Sequence, residues 1–358
     1  MKNKVTKTLI GATIASLMST TAFSQVTVTG YVEMGMIRGS SKGLAASTSQ
    51  GLGGESVVTI TGKGKLANGM EYMAYQTFDS DDHENQRNAA AIQPMTTRAI
   101  TINPVKDVSL FYTYDGVYGG EIARTAIPVA TERPTDFTGA TTLREFIDVT
   151  SGGHAIGFDV RDLGPNARLS FAYNPNFDSL PTASSDRIVN NNVTGPASGY
   201  SVGYVASPGP VRLAAGITKI DQKQSTTAQD VDSKTIGLTF SQAPFAVGAQ
   251  RTRNEGLKIA TLSTANIKDE VDSFSATYAI SKELTFGVIY SEMERTGTGL
   301  TAGPDLKVTQ VMAAYNLGPV VASLGYEKAD NKVSVTNTSN TASTNEHTLT
   351  KFKVKANF

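Results

Sequence analysis

The side chains of this chain offer little for bond-making chemistry and much for electrostatics. Cysteine is absent, and the three histidines, His83, His154 and His347, are scattered with no ligand pair at helical or strand spacing. Neither a thiolate site nor an imidazole metal site follows from such spacing. A catalytic nucleophile needs a base within reach and a third group to orient that base, and the sequence presents no such constellation. It assigns no catalytic residue, no metal and no cofactor. The densest acidic run, Asp79-Ser80-Asp81-Asp82-His83-Glu84, offers carboxylates for a divalent cation but lacks the glycine and spacing of an EF-hand loop, and a solvated loop is preferred to a cation site. What remains is clustered charge. Residues 117–152 carry Glu121, Glu132, Asp136, Glu145 and Asp148 beside Arg124, Arg133 and Arg144. Lys63, Lys65, Arg161, Arg168 and Arg212 stand at alternate positions of periodic segments, as do Lys351, Lys353 and Lys355. Charges ranged in this way act on water and ions through their field.

The elements that must position these charges are strands. Alternation with period two marks sixteen segments, near 26–38, 55–66, 70–79, 96–103, 108–116, 153–161, 167–173, 197–206, 211–220, 233–242, 245–254, 270–280, 284–294, 306–317, 320–329 and 346–358. The connections between them alternate in length. Short ones contain Ala67-Asn68-Gly69, Leu163-Gly164-Pro165-Asn166, Ser207-Pro208-Gly209-Pro210 or Leu317-Gly318-Pro319; long ones rich in Ser, Thr, Asn and Asp include 39–54, 117–152, 255–269 and 330–345. Short turns at one rim and long loops at the other describe an up-and-down antiparallel β-barrel of the transmembrane kind. A soluble sandwich would not alternate so strictly, and a propeller would repeat every four strands.

The faces say what surrounds the barrel. Val26, Val28, Val32, Met34 and Met36 share one face of the first segment, against Thr27, Thr29 and Glu33 on the other. In the last segment Phe352, Val354, Ala356 and Phe358 oppose Lys351, Lys353 and Lys355, with Leu349 one residue out of step. Apolar residues make up 39% of the chain, low for a soluble protein that must fill a core but adequate where apolar side chains are needed only on the outside of a wet barrel. By the same parity Lys63, Lys65, Arg161, Arg168 and Arg212 point inward. Arg98 shares its face with Ile100 and Ile102, so strand periodicity places it outward or at the rim. Tryptophan is absent, leaving 13 Tyr and 14 Phe to supply any interfacial belt.

Residues 1–24 read as a secretory signal: Lys2, Lys4 and Lys7, then a short apolar stretch, then Ala22-Phe23-Ser24. Removing those three lysines leaves 29 basic against 32 acidic residues, a charge of −3, too small to point to a nucleic-acid partner. The remainder, 25–358, is a single barrel domain.

Three stretches add a family resemblance. VTVTGYVEMG, Val26 to Gly35, is similar to the opening strand of the trimeric general porins of Gram-negative bacteria, especially the betaproteobacterial type, with Glu33 where that family usually has Asp. PTDFTGA, Pro134 to Ala140, followed by HAIGFDVRDLGPNARLSFAY, His154 to Tyr173, resembles the family's third loop and the strand–turn–strand after it. Phe358 resembles its closing aromatic, which the barrel-assembly machinery recognises. The resemblance implies a sixteen-stranded barrel with the 117–152 loop folded into the lumen, a homotrimer in outer-membrane lipid and lipopolysaccharide, and passive diffusion of small hydrophilic solutes and ions. It further implies acidic loop side chains facing a basic wall: Asp136 first, from the motif match, then Glu132 and Glu145, with Glu121 and Asp148 on the same loop. The facing cations would be Lys63, Lys65, Arg161, Arg168, Arg212 and Arg98, the last being the family-style position. The terminal strand, with Phe352, Val354 and Phe358, is the expected assembly element. A channel of the same class with a specific solute site is the alternative, and only constriction residues separate the two.

Overall fold

The computed structural model describes residues 25–42, 47–82, 97–124, 127–130, 146–150, 153–175, 198–221, 230–259, 262–297, 305–330 and 346–358, with backbone alone at 41–42, 47–49, 80–82, 257–259 and 262–266. Sixteen strands make one closed antiparallel barrel in sequence order. They are β1 (Gln25–Lys42), β2 (Ser47–Lys65), β3 (Glu71–Asp82), β4 (Thr97–Val105), β5 (Val108–Tyr114), β6 (His154–Arg161), β7 (Arg168–Asn174) and β8 (Ser198–Ala206). The second half comprises β9 (Val211–Asp221), β10 (Val231–Gln242), β11 (Phe245–Ile259), β12 (Leu262–Ala279), β13 (Leu284–Gly297), β14 (Leu306–Leu317), β15 (Val320–Asp330) and β16 (Glu346–Asn357).

Each neighbour pairs antiparallel, and the ring shuts where β1 meets β16, from Tyr31 opposite Asn357 to Lys42 opposite Glu346. Gly30 and Phe358 finish the seam by exchanging two backbone hydrogen bonds of 3.0 Å each. Closure leaves no edge strand to satisfy. The short turns follow from their residues: Gly69 and Gly318 adopt φ of +85° and +79°, the left-handed region that glycine enters without a Cβ penalty.

Two expected loops prove to be strand. Ser47 to Gly54 extends β2 against β1, and β11 and β12 rise as a long hairpin through much of 255–269. Their Ser, Thr, Gly and charged residues weaken the apolar alternation that marks a strand in sequence, yet ladder pairing needs only backbone. The hairpin absorbs its irregularity at Gly256, where φ is +78° and the register shifts between Asn254 and Leu257, the signature of a bulge.

The faces divide as the alternation requires. Val26, Val28, Val32, Met34, Met36, Phe274, Tyr278, Val311, Tyr315, Phe352, Val354 and Phe358 are exposed on the outside. Thr, Ser, Asn, Gln and charged side chains occupy most inward positions. Leu349, out of step in the sequence, is buried on the inner side opposite Glu327. Outward aromatic side chains lie towards the long-loop ends at Tyr112, Tyr114, Tyr173 and Tyr290, and towards the short turns at Phe240, Phe245, Phe286 and Phe358.

Gly30, on an outward position that would suit a flat subunit contact, has a nearer duty at the seam. A Cβ there would sit 2.8 Å from Cζ of Phe358 and closer still to the carbonyl oxygen of Val57. Gly30→Val is therefore expected to block closure and abolish refolding into detergent, measured as the heat-sensitive gel mobility of the folded barrel. Phe358→Ala, which keeps the backbone bonds to Gly30, should cost only about 1 kcal/mol in detergent, because the residue is 61% exposed. In cells the same substitution should lower membrane yield sharply.

Candidate pore constriction

The chain leaving β5 turns into the barrel instead of away from it. Its first turn is fixed by Tyr118, whose ring stacks on Phe111 of β5 at 4.0 Å between centroids. Arg168 of β7 clamps the same turn: Nη2 donates to the Val117 carbonyl at 3.1 Å and to Asp159 Oδ2 at 2.7 Å, and the guanidinium lies 5.5 Å from the Tyr118 ring centre. A short 3₁₀ helix, Gly119–Ala123, follows against β7, β8 and β9.

Inward hydroxyls of the wall receive the backbone of this segment. Gly119 N donates to Ser170 Oγ at 2.7 Å, Gly120 N to Ser201 Oγ at 3.0 Å and Ile147 N to Ser233 Oγ at 3.0 Å. Gln250 Nε2 donates to the Arg124 carbonyl at 2.7 Å, and Asn174 Nδ2 to the Val149 carbonyl at 3.1 Å. A loop inside a barrel must find partners for its buried backbone groups, and this row of short polar side chains on β7, β8, β10 and β11 supplies them.

Glycines make the room. Gly203 and Gly216 are cross-strand neighbours on β8 and β9. A Cβ at Gly203 would lie 2.6 Å from Ile122 Cγ1, and one at Gly216 would lie 3.2 Å from Ala123 Cβ and 3.1 Å from Phe146 Cζ. Further round, a Cβ at Gly248 would meet Pro128 Cδ at 2.5 Å and one at Gly287 would meet Ala130 Cβ at 2.7 Å. The loop then packs Ile127, Val129 and Ala130 against Ile289 and Met312. Its described portion therefore runs along the inner wall from β5, where Tyr118 stacks on Phe111, to β14, and these segments leave uncovered the wall around the β16–β1 seam.

Asp148 is the knot of the loop. Its carboxylate accepts from Glu121 N at 2.9 Å, Val149 N at 2.7 Å, Thr150 Oγ1 at 3.2 Å and Ser201 Oγ at 3.3 Å. It is 2% exposed. Burial, reinforced by the nearby Glu121 carboxylate, pushes its pKa up to about 7 against the opposing pull of those hydrogen bonds. Glu121 pairs with Arg124 at 3.1 Å. These two acids of the 117–152 loop hold it together and to the wall, so Asp148 does not face the passage. Asp136, Glu132 and Glu145 lie outside the described residues.

The uncovered wall carries cations, as the parity of β2 and β16 requires. Lys63 and Lys65 occupy inward positions of β2, with Lys65 3.6 Å from Glu71. On β16, Lys353 forms an ion pair with Glu33, and Lys355 Nζ sits 3.2 Å from the Tyr31 ring centre. The Tyr31 hydroxyl in turn donates to Glu55 at 2.5 Å. Arg161, Arg168 and Arg212 are inward on β6, β7 and β9, the same side as the loop's footing. Arg98 is outward: its cross-strand partners are Gln76 and Tyr114, and its guanidinium lies 5.0 Å from the Tyr114 ring centre. The register is unbroken from Arg98 to Ile102, the irregularity of β4 falling between Ile102 and Val105, so the Ile100 parity decides. His154 joins that outer cluster, accepting or donating at Nδ1 to the Tyr112 hydroxyl at 2.7 Å.

The glycine track and the serine row escape a reading of one strand at a time. Each of Gly203, Gly216, Gly248 and Gly287 stands at an inward position where a side chain would otherwise fill the lumen, and that repetition was the available signal.

No family model matches the chain, and no curated protein sequence does. Solved structures do match. The anion-selective porin from Comamonas acidovorans superposes with a TM-score of 0.62 at 14% identity, over 93% of this chain and 99% of that one. A double mutant of the Rh. blastica porin gives 0.58 at 14% identity over 93% and 100%. OmpT of Vibrio cholerae, in a form lacking loop L8, gives 0.60 at 10% identity over 93% and 99%. The fold is that of the bacterial general porins.

A branched side chain on the glycine track should unseat the loop. Gly203→Val is expected to give normal barrel assembly with noisy, enlarged single-channel conductance. The Asp148 knot sets a pH dependence. Its folded pKa exceeds the usual 3.8, so the folded state favours the proton, and stability is lost as pH rises from about 3.8 through about 7. Asp148→Asn should flatten that part of the thermal-stability profile in detergent between pH 4 and pH 8, whereas an unchanged profile would remove Asp148 as its source.

Proposed function

We propose that this chain is an outer-membrane porin, a water-filled channel for passive diffusion of small hydrophilic solutes and ions, with no catalytic activity. One observation carries the reading: a closed barrel, apolar outside and polar within, whose loop after β5 is built into the inner wall. A barrel of sixteen strands encloses an aqueous channel, and a loop seated on one half of the wall narrows it without plugging it. Charges on opposite sides of such a narrowing act across the passage. The sequence resemblance adds an exported chain, with 1–24 removed as a signal, and insertion by the assembly machinery.

The homotrimer belongs to the same proposal, and the outer surface supports it. Ion pairs on the outer face gather on β9–β16: Lys219 with Asp232 at 3.7 Å, Arg251 with Asp272, Lys268 with Glu270 at 2.8 Å, Lys307 with Glu292 at 3.1 Å and Lys328 with Asp330 at 3.0 Å. The outer faces of β1 and β2 instead expose Val26, Val28, Val32, Met34, Met36, Leu52 and Ile60. A sheet face so apolar suits subunit contact; the charged sector suits lipid headgroups.

Recording in planar bilayers tests the reading. Purified protein in KCl should insert as conducting units that close in three equal steps. Asp136→Asn should move the reversal potential in a salt gradient towards anions, while neutralising Asp330 should move it much less. Absence of conducting steps would overturn the channel, and single-step closure would overturn the trimer.

A further inference from the structure

A second feature of the inner wall lies on the short-turn side of the loop. Arg161 and Arg168 are directly opposite one another across β6 and β7. Like charges opposed on one face of an antiparallel pair repel, so this arrangement calls for compensation. Arg168 receives part of it from Asp159, through one nitrogen and one oxygen at 2.7 Å. The contact is one-armed: Arg168 Nε and Asp159 Oδ1 are both buried without a hydrogen-bond partner, because the guanidinium is also drawn to Val117 and Tyr118. Arg161 receives none from the described residues. It is exposed, and its backbone N–H donates to the Asp107 carbonyl at 2.7 Å.

A third cation shares the wall. Arg168 is opposite Val205, Val205 is opposite Ala214, and Arg212 lies two residues from Ala214 on the same inward face, towards the short turns. That places it two strands away, about 10 Å across the sheet. Among the inward positions of β6, β7, β8 and β9, Asp159 is the one carboxylate against these three arginines. Guanidinium groups grouped in this way, with planar forks that match oxyanions, define a ligand class.

We infer that Arg161, Arg168 and Arg212 form a binding site for a tetrahedral oxyanion, phosphate either free or carried as a monoester on a small solute, just inside the short-turn mouth. The inference deepens the porin reading and rests on it for the route by which the anion arrives. Arg161 is the main contact, Arg212 extends the site, and Arg168 ties it to the footing of the loop at Val117. Lys63, Lys65 and Lys355 across the lumen add positive potential at the same level.

The test combines conduction with an equilibrium measurement. Single-channel current in KCl at constant ionic strength is recorded as inorganic phosphate, and separately glycerol phosphate, is added to one side and then the other. A saturable fall in current, reached at lower concentration from one side, is expected. Arg161→Gln should raise the half-saturating concentration at least fivefold while keeping KCl conductance within about twofold. Arg98→Gln, on the outer face, should leave the titration unchanged. Saturation by inorganic phosphate and by the ester alike marks a site for the phosphoryl group; saturation by the ester alone would overturn the oxyanion as the recognised element. A strictly linear response, or the same saturation in Arg161→Gln, would overturn the site. Calorimetric titration of phosphate into the detergent-solubilised barrel needs no conduction. Heat of binding that Arg161→Gln abolishes would sustain the site even if no channel formed in KCl, a result that would sink only the pore reading.

Discussion

Everything in this molecule depends on the ring of backbone hydrogen bonds being unbroken. In a membrane no solvent exists to satisfy an unpaired strand edge, so a spanning sheet must close on itself. The β1–β16 seam is where that requirement is met last, and its residues show the tightness of the fit: Gly30 and Phe358 bond to each other while the aromatic ring lies over the glycine. Closure also frees the interior. Because the ladder and the outer apolar face stabilise the barrel, the inner face need not be a hydrophobic core, and its alternate positions are available for hydroxyls, lysines and arginines.

The loop after β5 uses that freedom. A connection entering a barrel brings backbone donors and acceptors into a confined space, and those of its described segments are met by side chains of the wall at Ser170, Ser201, Ser233, Asn174 and Gln250. The glycines at 203, 216, 248 and 287 lower the wall beneath it by one side chain each. In the described segments the result is lateral seating, along the wall that runs to β14. Two acids that sequence alone would set at the rim of the passage, Glu121 and Asp148, are consumed in this seating. A carboxylate on a lumen loop can thus be structural mortar as readily as a source of field, and burial distinguishes the two.

How much was legible beforehand follows from the physics of each feature. Strand number, order and facing were readable because a two-residue period against lipid leaves a mark in every segment, from Val26 to Phe358. The extent of β2 and of the β11–β12 hairpin was not, since beyond the apolar zone both faces are polar and the period fades while backbone pairing continues. Strand parity with Ile100 sets Arg98 on the outer face, whereas the family resemblance implies a lumen position for it. The placement of Asp148 was illegible. Its surroundings are assembled from Glu121, Thr150 and Ser201, residues from two elements up to 80 positions apart, and no local pattern announces a buried carboxylate. The cross-strand arginine pair stood midway: both residues were identifiable as inward, but their opposition depends on the register of the β6–β7 hairpin.

The uneven outer face has a mechanical consequence for the surrounding membrane. With strands tilted as in such barrels, each residue adds roughly 2.5 Å of height. The apolar outward run of β1, Val26 to Met36, then stands about 25 Å tall, whereas that of β11, Phe245 to Ala249, reaches only about 10 Å before Arg251 and its partner Asp272. Lipid beside β11 must thin, or bend its headgroups inward, whereas the tall apolar face of β1 is the one proposed above for subunit contact. A bilayer resists thinning by a fraction of a kcal/mol per Å of mismatch. Each barrel therefore carries a fixed dent on one flank, and neighbouring barrels whose dents coincide share the cost of one deformation. Packing of these proteins in the plane of the membrane would acquire a preferred orientation from elasticity alone, without any contact between them.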